Sequence, residues 1–258
     1  MRIKDFIWSI FFGKKERKID VKKLPSQGLF YKEGFEIAIK KADPESIAEY
    51  EKDYDAEDLG MILSRLKKIV SENILLPKGY TFNYIKSIDV VFIFLEIVAF
   101  TNNRPVMLEY YNDELGSIDK IAFGEKNFNY FAIDEEMMER WNPSERCFLI
   151  NGYKFTLPSI GIENSLTNYL ISKSSEPDAL KYNDYSYSFT YFLGNREFVT
   201  FSEIDNLIEI FNHDLEDEES SKVDSIVESF IPMQRYSLVK NDRIIEMSSK
   251  INLQEIWK

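Results

Sequence analysis

The chain reads as an α+β protein: a helical body with a small antiparallel β segment in the middle third and a helix-rich C-terminal third. Three patterns point that way. Apolar residues recur at helical spacing over residues 44–71 and 84–100, period-two runs fill much of 106–157, and helical spacing returns after Ile160. With 258 residues, 44% of them hydrophobic and 15% aromatic, the chain can fill a core without staples. Ten glycines and eight prolines are dispersed, and no Gly/Ser linker divides the chain. The organisation expected is a basic aromatic arm over 1–20, an α+β body over 21–160, and a mainly helical region over 161–258 packed on that body.

The arm places Ile3, Phe6, Ile7, Trp8, Ile10, Phe11 and Phe12 ahead of Lys14-Lys15-Glu16-Arg17-Lys18. Its basic cluster follows the apolar run, the reverse of a signal peptide, and the run is far short of the roughly 20 residues that span a bilayer. It either docks in a protein groove or lies on a membrane surface. Protein docking is preferred, because interfacial helices interleave charge and apolar residues around one helix.

Leu24-Pro25-Ser26-Gln27-Gly28 follows as a turn: Pro25 presets its φ, Leu24 is pushed toward an extended conformation, and Gly28 is free to take positive φ. Leu29, Phe30 and Tyr31 anchor it, and residues 35–40 alternate as a strand with Phe35, Ile37 and Ile39 inward. The same idea recurs at Leu157-Pro158-Ser159-Ile160-Gly161. A helix is expected from Asp43-Pro44-Glu45, and a second from about Glu57 to Ser71 with Leu59, Ile62, Leu63, Leu66, Ile69 and Val70 at helical spacing. Residues 84–100 read as a buried central helix, with strand over Val90 to Phe94 the less favoured alternative, Asp89 as a cap and Glu96 solvated or paired with lysine. These two carboxylates stand about two turns apart, so an acid/base pair is the less favoured reading.

Strands are expected at 106–111, 118–123 and 128–133, and a two-residue hairpin joins 146–150 to 153–157 through Asn151-Gly152. Beyond them, 162–172 reads as helix, Ser202-Glu203-Ile204-Asp205 as the opening of a helix through Phe211, and 224–231 as another helix. The aromatic row over 182–192 alternates in part like a strand, and strand and helix both remain open there. The acidic run 214–219 lacks the glycine and ligand alternation of a calcium loop and reads as a solvated connection.

The net charge of −12 is unevenly placed. Residues 1–23 hold eight Lys or Arg against three Asp or Glu, a net of +5 that leaves −17 to the remainder. An acidic body offers no broad positive surface for phosphates, so nucleic acid is not an expected partner. The lone Cys147 excludes an internal disulfide and a multi-cysteine metal site, and reads as a small core residue beside Phe148. No phosphate-binding glycine loop, G-x-S-x-G or H-E-x-x-H is present, and His213 is the only histidine. The chain is therefore expected to be neither an enzyme nor the holder of a cofactor or metal. A hydrolase working through carboxylates alone is the alternative, although no spacing singles out its pair.

The opening Leu24–Tyr31 with its Ile-x-Ile strand and acidic helical segment resembles the baseplate hub and tail-assembly proteins of T4-like contractile-tailed bacteriophages. So does Ser87-Ile88-Asp89 leading into an apolar helix, the Asn102-Asn103-Arg104-Pro105-Val106 turn, and the ending Ile251-Asn252-Leu253-Gln254-Glu255-Ile256-Trp257. Several members of that family carry paired cysteines of zinc-ribbon type, which this chain lacks, so no zinc site is carried over. The resemblance implies a structural or chaperone-like assembly protein that contacts other tail or baseplate hub proteins. Its expected location is the host cytoplasm during assembly or the virion baseplate. The candidate contact residues are Phe6, Trp8, Phe11, Phe12, Leu24, Pro25, Phe30, Tyr31 and Trp257. A peripheral membrane adaptor acting through the arm is a further alternative.

Overall fold

A computed structural model describes residues 16–55, 59–112, 116–123, 128–130, 138–150, 153–174, 196–213, 236–240 and 243–247. The elements run β1 (Glu16–Ile19), β2 (Ile37–Lys40), α1 (Pro44–Asp55), α2 (Leu59–Asn73), β3 (Ile74–Leu75) and α3 (Val90–Asn102). They continue through β4 (Met107–Asn112), β5 (Ser117–Ala122), β6 (Phe128–Tyr130), β7 (Trp141–Asn142), β8 (Cys147–Ile150) and β9 (Tyr153–Phe155). Last come α4 (Ile160–Lys173), α5 (Phe201–His213), β10 (Tyr236–Lys240) and β11 (Arg243–Met247). The α+β class holds, with every strand among the described residues pairing antiparallel.

Helix α3 is apolar nearly all round, and such a helix is stable only when enclosed. Residues 92–98 are all buried, with α2 and β2 packed against the helix. The inward face of α2 is Ile62, Leu66, Ile69 and Val70, and α1 contributes Ile47 and Tyr50. Arg65 ties the two outer helices together through Asp53 (2.9 Å) and Glu49 (2.6 Å). At its C-terminus α3 ends on Asn103 in the left-handed conformation (φ 51°), two residues before Pro105, which cannot continue a helix. A second, smaller core gathers Ile162, Leu166 and Tyr169 of α4 with Val199 and Ile204.

Several elements depart from the sequence reading. The central helix starts at Val90, because residues 85–87 are spent on an antiparallel bridge to 158–160. Glu16–Ile19, counted with the arm in the sequence, form an edge strand on β2 with only Ile19 inward. Its charged residues hide it from pattern reading, and charge is how edge strands avoid further pairing. Helix α5 opens at Phe201: Thr200 and Glu203 form a reciprocal capping box, Thr200 N–H to Glu203 Oε2 at 2.9 Å and Glu203 N–H to Thr200 Oγ1 at 3.4 Å. Strands β10 and β11 form a hairpin that pairs with β6, adding sheet to a C-terminal region expected to be mainly helical. Strands β8 and β9 pair as the hairpin reading requires, in the register Ile150↔Tyr153, while residues 151–152 lie outside the described residues. The readings at 131–133, 182–192, 214–219 and 224–231 lie outside the described residues.

Candidate functional site

The two Leu-Pro-Ser turns meet at one place, the segment 85–89 that leads into α3. In the first turn Gln27 (φ 53°) and Gly28 (φ 72°) both adopt left-handed conformations, reversing the chain so that Ser26 and Tyr31 face inward. Asp89 takes them up: Oδ1 accepts from the Ser26 N–H at 2.9 Å, and Oδ2 accepts from the Ser26 hydroxyl and the Tyr31 hydroxyl at 2.7 Å each. Asp89 was expected to cap the helix, but its side chain makes no cap bond. Three donors from a distant turn replace the one or two a cap would engage.

The second turn docks on the same segment through backbone. The Ser87 N–H donates to the Pro158 carbonyl at 3.0 Å, and the Ile160 N–H donates to the Ile85 carbonyl at 2.9 Å. Between them Lys86 is extended (φ −68°, ψ 133°). Its N–H donates to the Tyr31 oxygen at 3.0 Å, and its ammonium donates to the Leu157 carbonyl at 2.8 Å while lying 5.7 Å from the centre of the Phe30 ring. Ser159 meanwhile caps α4 through the Ile162 N–H (3.3 Å) and donates its hydroxyl to the Arg196 carbonyl (2.6 Å). The segment after Arg196 crosses the first turn of α4 so closely that a methyl group on Gly161 would lie 1.5 Å from the Glu197 carbonyl oxygen.

Ser26, Lys86, Asp89 and Ser159 have no exposed surface, and Tyr31 has almost none. Burial pushes the Lys86 ammonium down to about 7, with Asp89 opposing the shift. Burial also pushes the Asp89 carboxyl up to about 6, opposed by the hydrogen bonds from Tyr31 and Ser26 and by Lys86. The Tyr31 hydroxyl is raised well above its usual range, first by burial and then by Asp89. An amine and a carboxyl titrating near neutrality suit acid/base chemistry, but structural networks shift in the same way. Here the polar atoms are directed at one another and at backbone, and no surface is open for a substrate to reach them. The cluster is a latch.

A second polar feature lies at the C-terminal end of α3. Glu96, expected to be solvated or paired with lysine, is 8% exposed and pairs with Arg17 of β1 at 3.1 Å. It faces a cleft of about 350 Å³ lined also by Ala99, Phe100, Asn103, Arg104, Pro105 and Phe123. Asp89 and Glu96 thus serve separate partners and form no carboxylate pair.

Of the residues expected to contact a partner, Leu24, Pro25, Phe30 and Tyr31 are interior. Phe30 packs edge-on to Trp141 (5.4 Å) and near Phe148 (6.0 Å), and Tyr31 stacks on Phe35 at 4.8 Å. The turn chemistry that marked them is real, but it serves the core. Phe6, Trp8, Phe11, Phe12 and Trp257 lie outside the described residues. Cys147 is buried, and burial raises its thiol. Lys86 went unnoticed in the sequence, although a lone lysine inside an apolar run was its signal.

Among the described residues, no group of three His, Cys, Asp or Glu is placed to hold a metal ion, and no helix is long and apolar enough to cross a membrane. Large apolar side chains do face outward at the start of α5, where Phe198 is 68% and Phe201 44% exposed. Comparison of the chain with protein-family models, with curated proteins and with solved structures finds no match.

Proposed function

We propose that this chain acts by binding other proteins, as a structural or assembly component of a contractile phage tail baseplate hub. The observation that carries the reading is the enclosure of the latch. Among the described residues the two groups brought near neutrality, Lys86 and Asp89, are fully buried and engaged in joining distant segments. What such a body offers its surroundings is surface, and the outward Phe198 and Phe201 belong to that surface. The phage setting rests on the resemblance of the 24–31 opening, the 87–100 segment and the aromatic ending to baseplate hub proteins. In this reading the basic arm with Phe6, Trp8, Phe11 and Phe12 supplies a further anchor, opposite in charge to the body.

The test is affinity purification of the full chain from phage-producing cells, with mass spectrometry of what is retained, beside a variant lacking residues 1–15. That deletion stops short of β1 and leaves the sheet complete. Tail or baseplate proteins are expected with the full chain and in reduced amount with the truncated one. A monomer that retains no tail protein, or that turns over a substrate in a manner abolished by one Asp or Glu substitution, would contradict the reading.

A further inference from the structure

We infer that the cleft at the C-terminal end of α3 is a binding site for a carboxylate carried on an apolar body, in the form of the C-terminal residue of a partner polypeptide. The inference stands on the cleft's own residues and holds whichever assembly the chain joins. Glu96, Ala99 and Phe100 stand at helical spacing and so share one face of α3, which forms one wall together with its cap residue Asn103. Arg17 reaches the cleft from β1, Arg104 and Pro105 from the turn after α3, and Phe123 from the end of β5. The volume of about 350 Å³ falls at the small end of ligand-binding cavities and suits a single residue better than a folded surface.

Charge decides what that residue carries. Among the described residues two arginines and one glutamate line the cleft, a formal +1 in a chain of net −12. Glu96 is engaged with Arg17 at 3.1 Å, and Arg17 remains 44% exposed, so its five-donor fork has donors left for a second carboxylate. Arg104 is exposed and makes no ion pair among the described residues. A cation would meet two guanidinium groups. An anion meets them favourably, with charge-assisted hydrogen bonds that are stronger than neutral ones. Ala99, Phe100, Pro105 and Phe123 add an apolar surface that a bare phosphate or an aspartate side chain would leave uncovered. A terminal apolar residue brings its carboxylate and its apolar side chain on adjoining atoms, which is the combination the lining matches.

The probe is the tripeptide acetyl-Ala-Ala-Phe with a free C-terminal carboxylate, titrated into the 15N-labelled full chain and followed by amide chemical shifts. The same peptide with a C-terminal amide, acetyl-Asp-Ala-Ala amide, and inorganic phosphate are the comparison arms. The free acid is expected to shift the amides of Ala99, Phe100, Asn103 and Phe123, and to bind about ten-fold tighter than any other arm. Arg104→Gln, at an exposed position, should keep the fold and weaken the free acid by about ten-fold, bringing it level with the amide. Equal binding of acid and amide, phosphate binding as well as the acid, shifts centred elsewhere, or no shift at all would overturn the assignment.

Discussion

The turns at 24–28 and 157–161 share Leu-Pro-Ser and a glycine two residues later, yet the same letters do different work. In the first, the serine gives both its N–H and its hydroxyl to the Asp89 carboxylate. In the second, it caps a helix and ties down the Arg196 carbonyl. Gly28 is needed for its backbone angle of +72°, whereas Gly161 is needed for space beneath the Glu197 carbonyl. Both turns nonetheless fasten to 85–89, one chiefly through the Asp89 carboxylate and the other through backbone bonds and the Lys86 ammonium. A repeated motif can therefore mark a shared docking target without repeating the contacts that reach it.

The largest effect is expected where the first turn meets its acceptor. Asp89→Ala leaves the Ser26 N–H and hydroxyl and the Tyr31 hydroxyl without this acceptor, and removes a carboxylate that favours the buried Lys86 ammonium. A loss of about 3–5 kcal/mol is expected in urea unfolding, the range for breaking one partner out of a buried ionic network. Next come the glycines. Gly161→Ala forces Glu197 away and should cost about 3 kcal/mol, through overpacking. Gly28→Ala meets a backbone conformation unfavourable for alanine and a 3.1 Å approach to the Val21 carbonyl, and should cost only about 1–2 kcal/mol. Equal losses at the two glycines would erase the distinction between angle and space.

The buried pair also makes stability depend on pH. The folded Asp89 carboxyl titrates at about 6, above its ordinary 3.8, so the folded state holds that proton more tightly, and its contribution to stability falls as pH rises from about 4 to about 6. The folded Lys86 ammonium titrates at about 7, below its ordinary 10.5, so the cost of burying it is full below about 7 and fades as pH rises toward 10.5. The pair therefore contributes least between pH 6 and 7. Urea unfolding at pH 5, 6.5 and 9 should show that minimum in the wild type. Lys86→Met, which carries no titrating amine, should lose the rise at high pH.

Much of the architecture was legible because it is local. The Ile37/Ile39 alternation, the α2 stripe from Ile62 to Val70 and the β8–β9 hairpin each follow from spacing within one segment. The latch was not legible, because Asp89 takes its donors from residues 58 and 63 positions away and Lys86 reaches Leu157, 71 positions on. Apolar periodicity over 84–100 also concealed the bridge to 158–160 that delays the helix. Buried Phe30 and Tyr31 carry the same sequence signal as an aromatic contact surface, and only the fold separates the two uses.

The central claim is that both turns are locked to 85–89 as one cooperative unit, and native-state hydrogen exchange tests it most directly. The Ser26, Ser87 and Ile160 amides, whose acceptors lie across the junction, should exchange with the same free energy as the middle of α3 and show the same urea dependence. Exchange of Ser87 and Ile160 through a low-energy opening that leaves Ser26 and α3 protected would show two independent attachments and contradict the account.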